Sequence, residues 1–280
     1  MRTLSGHAKI AGVMGWPIAH SRSPRLHGFW LAQHDIDGAY LPLPVRPGNL
    51  AGALKALPML GFAGVNITLP HKAAALALVD RASDEAQRIG AINTVVVGAD
   101  GLLEGSNTDG YGFLAHLRSA APGWRAGEPA VLLGAGGAAR AIAVALLEAG
   151  VSELRLANRT ARRTAELAAA LGPKVKPVDW DRRNEALDGA GLLVNSTTLG
   201  MAGQPALEIG LRQLPLAAVV YDIVYVPLET PLLAAARARG HTVVDGLGML
   251  LHQALPGFAA WFGVTPEVTP ELREFVLAAI

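Results

Sequence analysis

Residues 130–149 constrain this chain more than any other stretch. Ala130-Val131-Leu132-Leu133 is a short apolar run that leads directly into Gly134-Ala135-Gly136-Gly137-Ala138-Ala139-Arg140 and then into the helical stretch Ala141–Ala149. A strand, a G-x-G-x-x-A loop and a helix in that order form the phosphate-binding turn of a parallel α/β domain. The first glycine permits the tight turn, the second lets backbone N–H groups approach a pyrophosphate, and the small third residue allows close helix–strand packing. The helix N-terminus turns its positive dipole end to the phosphates. A dinucleotide is the expected ligand, and Gly134, Ala135, Gly136, Gly137 and Ala138 are its expected cradle.

The end of the next strand selects between dinucleotides. An NAD-preferring site places Asp or Glu there, to accept hydrogen bonds from the ribose 2′-hydroxyl. Here the strand ends Ala157-Asn158-Arg159-Thr160-Ala161-Arg162-Arg163, with no carboxylate before Glu166. Guanidinium groups without an acid suit a 2′-phosphate, which arginine binds through charge-assisted, often bidentate hydrogen bonds. The plainer alternative is a solvated basic face on the helix that starts near Thr160. NADP is the cofactor expected.

Short strand-like runs alternate with helical ones through most of the chain, the pattern of βαβ units and a parallel sheet. In the first part the strands are Lys9–Met14, Ala39–Leu43, Gly64–Ile67 and Ile92–Val97, with helices near Pro24–Asp35, Asn49–Leu57 and His71–Val79. Ser23 before Pro24 suits an N-cap with proline at the first helical position. After the Pro-, Gly- and Ala-rich loop 120–129 the strands are Ala130–Leu133, Glu153–Ala157, Leu192–Asn195, Val219–Asp222 and His241–Val244. From Gly246 onward the pattern is helical, Leu247–Phe262 and Pro270–Ile280. The expected fold is α/β with two domains meeting at a cleft. Residues 1–118 with 249–280 form an α/β substrate domain, and 119–248 a Rossmann-type dinucleotide-binding domain. The apolar C-terminal helices return to the first domain; a homodimer interface is the alternative.

A chain of 280 residues is long enough for about two such domains. Its 24 basic and 23 acidic residues leave a net charge of +1, without the surplus that nucleic-acid or anionic-membrane binding draws on. A mean hydropathy of +0.32 is far from the disordered regime. Cysteine is absent, which excludes disulfides, thiolate-bound metals and a thiol nucleophile; no metal site is assigned. The N-terminal stretch lacks a signal-peptide pattern, and no apolar run reaches the ~18–20 residues of a membrane span. A soluble, cytoplasmic protein with a small-molecule substrate is expected.

Three further segments carry candidate chemistry. Ser21 and Ser23 lie beside a helix N-terminus, where two hydroxyls at i and i+2 can converge on a carboxylate; capping by Ser23 and solvation of Ser21 account for them equally well. Gly64–Lys72 ends a strand at the carboxyl edge of the sheet, where open α/β sheets bind ligands. Lys72 is one of five lysines against nineteen arginines. It is either a working ammonium or an ordinary solvated charge. Asp109, in Asn107-Thr108-Asp109-Gly110, is either a catalytic carboxylate or the cap of a helix Gly110–Leu117. His20 and His27 read as structural.

Taken together these segments resemble the shikimate dehydrogenase family, nearly end to end. P-I-x-H-S-x-S-P stands at Pro17–Pro24, N-[VI]-T-x-P-x-K at Asn66–Lys72, G-A-x-N-T at Gly90–Thr94 and G-x-N-T-D-x-x-G at Gly105–Gly112. The glycine loop, Asn158-Arg159-Thr160, Asn195-Ser196-Thr197 with Gly200-Met201, Asp222–Pro227 with Thr230–Leu233, and Gly246–Leu250 with Gln253 follow in order. The resemblance implies reversible, NADPH-dependent reduction of 3-dehydroshikimate to shikimate, on the way to chorismate and the aromatic amino acids. It implies that Ser21 and Ser23 hold the substrate carboxylate, that Thr68, Lys72, Asn93, Asp109, Tyr225 and Gln253 surround the ring, and that Lys72 and Asp109 are the catalytic pair. It places Asn158, Arg159, Thr160 and Arg163 at the adenosine phosphate, Ile223, Gly246 and Met249 near the nicotinamide, and Asp84 at a weaker cofactor-side position.

Trp16 stands where the family often has Asn, and Gly28 where Asn usually follows His. The nearest rival is a quinate/shikimate dehydrogenase using NAD or both cofactors, which shares the catalytic residues. Methylenetetrahydrofolate dehydrogenases share the layout and a lysine but lack the paired serines and the N-T-D segment. A non-catalytic NADP sensor would be expected to lack Lys72 or Asp109, and both are present.

Overall fold

The structure, a computed structural model, describes residues 3–278. The first stretch builds β1 (Lys9–Gly15), α1 (Ser23–Gln33), β2 (Gly38–Pro44), α2 (Leu50–Met59), β3 (Phe62–Ile67), α3 (Lys72–Leu76), β4 (Arg81–Ala82), α4 (Asp84–Ile89), β5 (Thr94–Val97) and β6 (Leu103–Ser106). The second builds α5 (Asp109–Ala120), β7 (Ala130–Leu133), α6 (Gly137–Ala149), β8 (Leu154–Ala157), α7 (Ala161–Leu171), β9 (Val175–Val178), β10 (Leu192–Asn195), β11 (Val219–Asp222), α8 (Pro231–Ala238), β12 (Thr242–Val244) and α9 (Leu247–Gln253). The chain ends with α10 (Leu255–Phe262) and α11 (Pro270–Leu277). The expected last helix ran to Ile280; Ala279 and Ile280 lie outside the described residues. Among the described residues no helix is long and apolar enough to cross a membrane.

The chain divides into two compact units, residues 3–108 with 253–278, and Asp109–His252. The division falls before α5, whereas the sequence placed it after residue 118. The reason is side-chain packing: Phe113 of α5 stacks on Tyr221 of β11 with centroids 4.7 Å apart. His116 Nδ1 lies 2.8 Å from the Tyr221 hydroxyl.

In the first unit a six-stranded sheet runs β2-β1-β3-β5-β6-β4. It is mixed rather than parallel as expected, because β5 pairs antiparallel with both β3 and β6. Met14, Leu54, Val65, Ile67, Ile92 and Val95 form its buried core. The C-terminal helices pack back here: Phe258, Trp261 and Phe262 of α10 are buried, each contributing roughly 1.5–3 kcal/mol. Trp261 Nε1 donates to Val95 O at 3.0 Å. Only a glycine at position 64 leaves room, since a Cβ there would overlap Val95 O and the Trp261 indole nitrogen.

In the second unit the sheet runs β12-β11-β10-β7-β8-β9, and every neighbouring pair is parallel. Numbered from β7, this is the order 3-2-1-4-5-6 of doubly wound dinucleotide folds, with the switch point between β7 and β10. Ala130 and Leu132 face one core, and Val131 and Leu133 the other. Burial on both faces is why these strands read as unbroken apolar runs.

Four local expectations give way. Ser23 is not the cap of α1 but its first residue; Arg22 holds the cap position without a side-chain cap. Asp109 is the first residue of α5 rather than its cap. The stretch 71–79 is helical only over Lys72–Leu76, because Asp80 N joins the sheet edge at Leu103 O. The stretch 247–262 breaks at Ala254 into α9 and α10, because Pro256 has no N–H to give and its ring would clash with the carbonyl of His252. The short elements β4, α4 and β9 had no counterpart in the expected pattern.

His27 is fully buried, stacked on Tyr40 at 3.9 Å and 5°, and neither ring nitrogen has a hydrogen-bond partner among the described residues. Burial drives its pKa from 6.5 to about 3; the Asn66 amide, short of hydrogen-bond geometry, offsets this only in part. Below pH 6.5 the unfolded chain takes up a proton that the folded chain refuses until about pH 3. Its contribution to stability is therefore complete above pH 6.5 and is lost as pH falls, with a slope approaching about 1.4 kcal/mol per pH unit. Urea unfolding of wild type and His27→Phe from pH 7 to pH 4 should give a shallower pH slope for the variant; equal slopes would refute the neutral histidine.

Candidate active site

The first unit gathers one set of candidates around the carboxyl ends of β1 and β3. These strand ends are joined directly, with Thr68 N donating to Met14 O at 2.9 Å and Trp16 N to Leu69 O at 3.0 Å. Trp16–Pro17 and Leu69–Pro70 are cis peptides. Ser21 and Ser23 follow β1, and Ser23 N donates to Ser21 Oγ at 3.3 Å. Half-buried Lys72 opens α3, and its carbonyl accepts from Ile92 N at 2.9 Å, which ties this turn to the segment carrying Asn93. His71 beside it is buried, with Nε2 2.7 Å from Val45 O.

Asn93 is almost wholly buried and sits at the middle of a polar network. Its Oδ1 accepts from Thr108 N at 2.8 Å, and its Nδ2 donates to Gln253 Oε1 at 3.0 Å. Thr108 Oγ1 donates to Gln253 O at 2.8 Å. Asp84 stands apart from this group, exposed in the first turn of α4. Of the two departures, Trp16 is partly exposed with the Arg46 guanidinium 5.0 Å over its ring, and Gly28 is exposed with nothing near it.

The second unit holds the other set. Asp109 opens α5 and is buried. Gly134 ends β7 at φ +112°, a conformation L-residues rarely adopt, and a Cβ there would lie 2.6 Å from Ser196 Oγ. Gly136 and Gly137 differ: both are exposed, neither has positive φ, and nothing lies within 4 Å of the Cβ each lacks. No protein atom therefore requires glycine at these two positions, and open backbone at the start of α6 fits a group brought close from outside. Ala139 is buried, as close packing of α6 on the sheet demands.

At the end of β8, Asn158 Nδ2 donates to Thr160 O at 3.1 Å. Arg159 and Arg163 are exposed and carry no ion pair among the described residues, while Arg162 pairs with Glu166 at 3.6 Å. The donor set thus fits a phosphate better than a ribose hydroxyl. Ile223 and Tyr225 are half-buried after β11, and Gly246 is buried before α9. Met249 lies in the apolar core, with Ile223 packed against that core.

No role was legible in advance for the residues that hold these loops. Asp222 is wholly buried, and it accepts from Thr230 Oγ1 at 2.7 Å, Asn195 Nδ2 at 3.0 Å and Val224 N at 3.0 Å. Burial raises its pKa, and the bonds from Thr230, Val224 and Asn195 oppose the shift. Tyr40, Asn66, Thr94 and Thr108 do the same work in the first unit. The available signal was position: Asn195 and Asp222 end successive strands, where a polar residue after an apolar run needs a partner.

Residues 13–95 match the model of the shikimate dehydrogenase substrate binding domain, and residues 121–204 that of shikimate / quinate 5-dehydrogenase. A protein of Paramagnetospirillum magneticum named shikimate dehydrogenase (NADP(+)) is 60% identical over 276 residues, covering 98% of this chain and 100% of its own. This chain belongs to the shikimate dehydrogenase family. Among solved structures, shikimate 5-dehydrogenase of Thermus thermophilus in complex with NADP(H) and shikimate is 40% identical, with a TM-score of 0.86 over 97% of this chain and 100% of that one. Quinate dehydrogenase of Corynebacterium glutamicum in complex with NAD is 33% identical, with a TM-score of 0.90 over 97% and 99%. The family motifs thus stand at strand ends and in the loops that follow them in both sheets.

The two kinds of glycine separate in a binding experiment. Gly134→Ala should destabilise the protein itself by about 1–3 kcal/mol through backbone strain. Gly136→Ala should cost the protein no more than about 1 kcal/mol, the loss of a good N-cap residue, yet weaken NADP binding at least tenfold by calorimetry. Unchanged affinity in Gly136→Ala would remove this turn from the cofactor site.

Proposed function

We propose that the chain is an NADP-dependent shikimate dehydrogenase, interconverting 3-dehydroshikimate and shikimate. The observation that carries this reading is the match along nearly the whole chain, at 60% identity, to a protein of that name. The glycine cradle followed by Arg159 and Arg163 supports the same cofactor from the residues alone.

In this reading the first unit takes the small-molecule substrate. Ser21 and Ser23 bind its carboxylate, and Thr68, Asn93 and Gln253 its ring oxygens. Tyr225 and Asp109 are further substrate residues. The glycine loop, Asn158, Arg159, Thr160 and Arg163 hold the adenosine phosphates, with Asp84 a weaker contributor, and Ile223, Gly246 and Met249 border the nicotinamide. Bound NADPH supplies the hydride that reduces the ketone.

The chain's own residues govern the charge that results. Negative charge develops on the carbonyl oxygen, and a cation or proton donor within hydrogen-bond reach lowers that barrier. Lys72 Nζ does both, stabilising the oxygen and delivering a proton to it. Asp109 accepts a hydrogen bond from a substrate hydroxyl and orients the reacting ring. Lys72 and Asp109 are the catalytic pair.

Absorbance at 340 nm, with shikimate or quinate and NADP or NAD, tests this directly. Turnover should be confined to shikimate and strongly favour NADP; comparable rates with quinate or NAD would move the protein to the broader quinate/shikimate class. Lys72→Ala should lose about 10²–10⁴ in kcat with little change in KM, and near-normal turnover would exclude Lys72 as the proton donor. Arg159→Ala should raise the KM for NADP about tenfold or more, the loss of one charge-assisted bond, and leave that for NAD unchanged.

A further inference from the structure

Trp16 and Arg46 belong to none of the groups assigned above, yet they stand at the strand ends that carry several of them. Gly15 and Pro44 are partners at the ends of β1 and β2, and Val45 N donates to Gly15 O at 3.1 Å. Just beyond, the Arg46 guanidinium lies 5.0 Å over the Trp16 ring, within cation–π range. Among the described residues the exposed Arg46 side chain has neither a carboxylate nor a hydrogen-bond partner. The substrate candidates share these strand ends. Trp16 N donates to Leu69 O at 3.0 Å, one residue past Thr68. A Cβ on Gly15 would strike the side chains of Thr68 and Ile18, and Ile18 O accepts from Ser21 N at 2.9 Å, so the serine loop folds back over the end of β1. Val45 O, beside Arg46, lies 2.7 Å from Nε2 of His71, the residue before Lys72.

Charge is sorted along this sheet. Asp35 and Asp37 are the acidic residues that precede Asp80 in the sequence. All three belong to the opposite edge: Asp37 O accepts from Lys9 N where β1 begins, and Asp80 N donates to Leu103 O where β6 begins. Asp84 and Glu85 follow β4, which closes the sheet on the side away from β2, roughly 24 Å off by strand spacing. Arg22, between the two serines, adds charge of the same sign as Arg46. A carboxylate would hold the Arg46 guanidinium and cancel its charge. An indole holds it through the quadrupole of the ring and leaves the full positive charge in place.

We propose that Arg46, seated on Trp16, is a substrate-capture residue: its uncancelled charge draws the carboxylate of the substrate to Ser21 and Ser23. Arg46 acts through space, and Trp16 is the positioning residue that keeps the guanidinium at this edge. This rests on the reading of the two serines as the carboxylate site. Such an attraction is strongest at low ionic strength and fades as salt screens it.

The test is kcat/KM for shikimate at saturating NADP, from about 0.01 M to about 0.5 M salt, where the Debye length shrinks from ~30 Å to a few Å. Arg46→Gln should lose about three- to tenfold at low salt, more in KM than in kcat, and approach wild type at high salt. Arg46→Glu should lose about ten- to a hundredfold, and Arg46→Lys, which keeps the charge, should recover most of the loss. Trp16→Leu should act as a weaker Arg46→Gln, and Trp16→Phe, which keeps a ring, should recover. Lys9→Gln removes the same charge at the opposite edge and should stay within about twofold of wild type at every salt concentration. A wild-type kcat/KM in Arg46→Gln, a loss that salt does not shrink, or an equal loss in Lys9→Gln would overturn the proposal. A wild-type kcat/KM in Trp16→Leu would overturn the seat. Ser21→Ala and Ser23→Ala separate the underlying reading. A raised KM in both, with Arg46→Gln unaffected, refutes this inference alone; a wild-type KM in both, or a wild type that turns over no shikimate, refutes the reading and the inference with it.

Discussion

Asn93 holds together the two points at which the chain leaves and re-enters the first unit. Thr108 is the last residue of the first stretch and Gln253 the first of the second, and one buried amide bonds both. Such an amide is costly to bury unpaired and strongly orienting when satisfied. Its apolar counterpart is α10, whose Trp261 enters over Gly64 and donates to Val95, two residues along the same strand-forming segment. The C-terminal helices are thereby part of the first unit's core, and Gln253 is placed by the residues that close that core.

The second unit solves the same problem with a carboxylate. Asp222 ends β11, Asn195 ends β10, and Thr230 caps α8 while donating to Asp222. The two loops that leave the carboxyl edge of the sheet after β10 and β11 are bound to one buried group instead of to solvent. Across the switch point, Ser196 Oγ donates to Leu133 O at 2.6 Å, so the glycine turn is braced from the neighbouring strand. What remains open is the backbone at Gly136 and Gly137. The loops are hydrogen-bonded where protein meets protein and bare at these two glycines.

Much of this was readable residue by residue. The strands Ala130–Leu133, Leu192–Asn195 and Val219–Asp222 begin and end where the sequence alone placed them, since strands covered on both faces are continuous apolar runs with polar ends. The site motifs were equally visible, because catalytic and phosphate-binding groups depend on residue type at fixed spacing. Ser23 was misjudged as a cap, since a Ser-Pro pair suits an N-cap followed by N1 and equally the first two residues of a helix. Tyr40 escaped notice, and Thr94 and Thr108 stood in the motifs without a role, because an isolated hydroxyl in a strand or loop carries no periodicity.

Sequence by itself determined the two-domain α/β class, the glycine turn, the acid-free arginine segment after β8 and the motifs of the family. These follow from local pattern, in which hydrophobic period, glycine placement and charge act over a few residues. Tertiary structure alone decided that β5 runs antiparallel, that α5 packs against β11 and so joins the second unit, and which way each buried amide faces. Those outcomes depend on pairings between segments tens to hundreds of residues apart. A buried hydrogen bond is chosen by whichever donor or acceptor the fold delivers, and Asn93 and Gln253, 160 positions apart, carry no local trace of theirs.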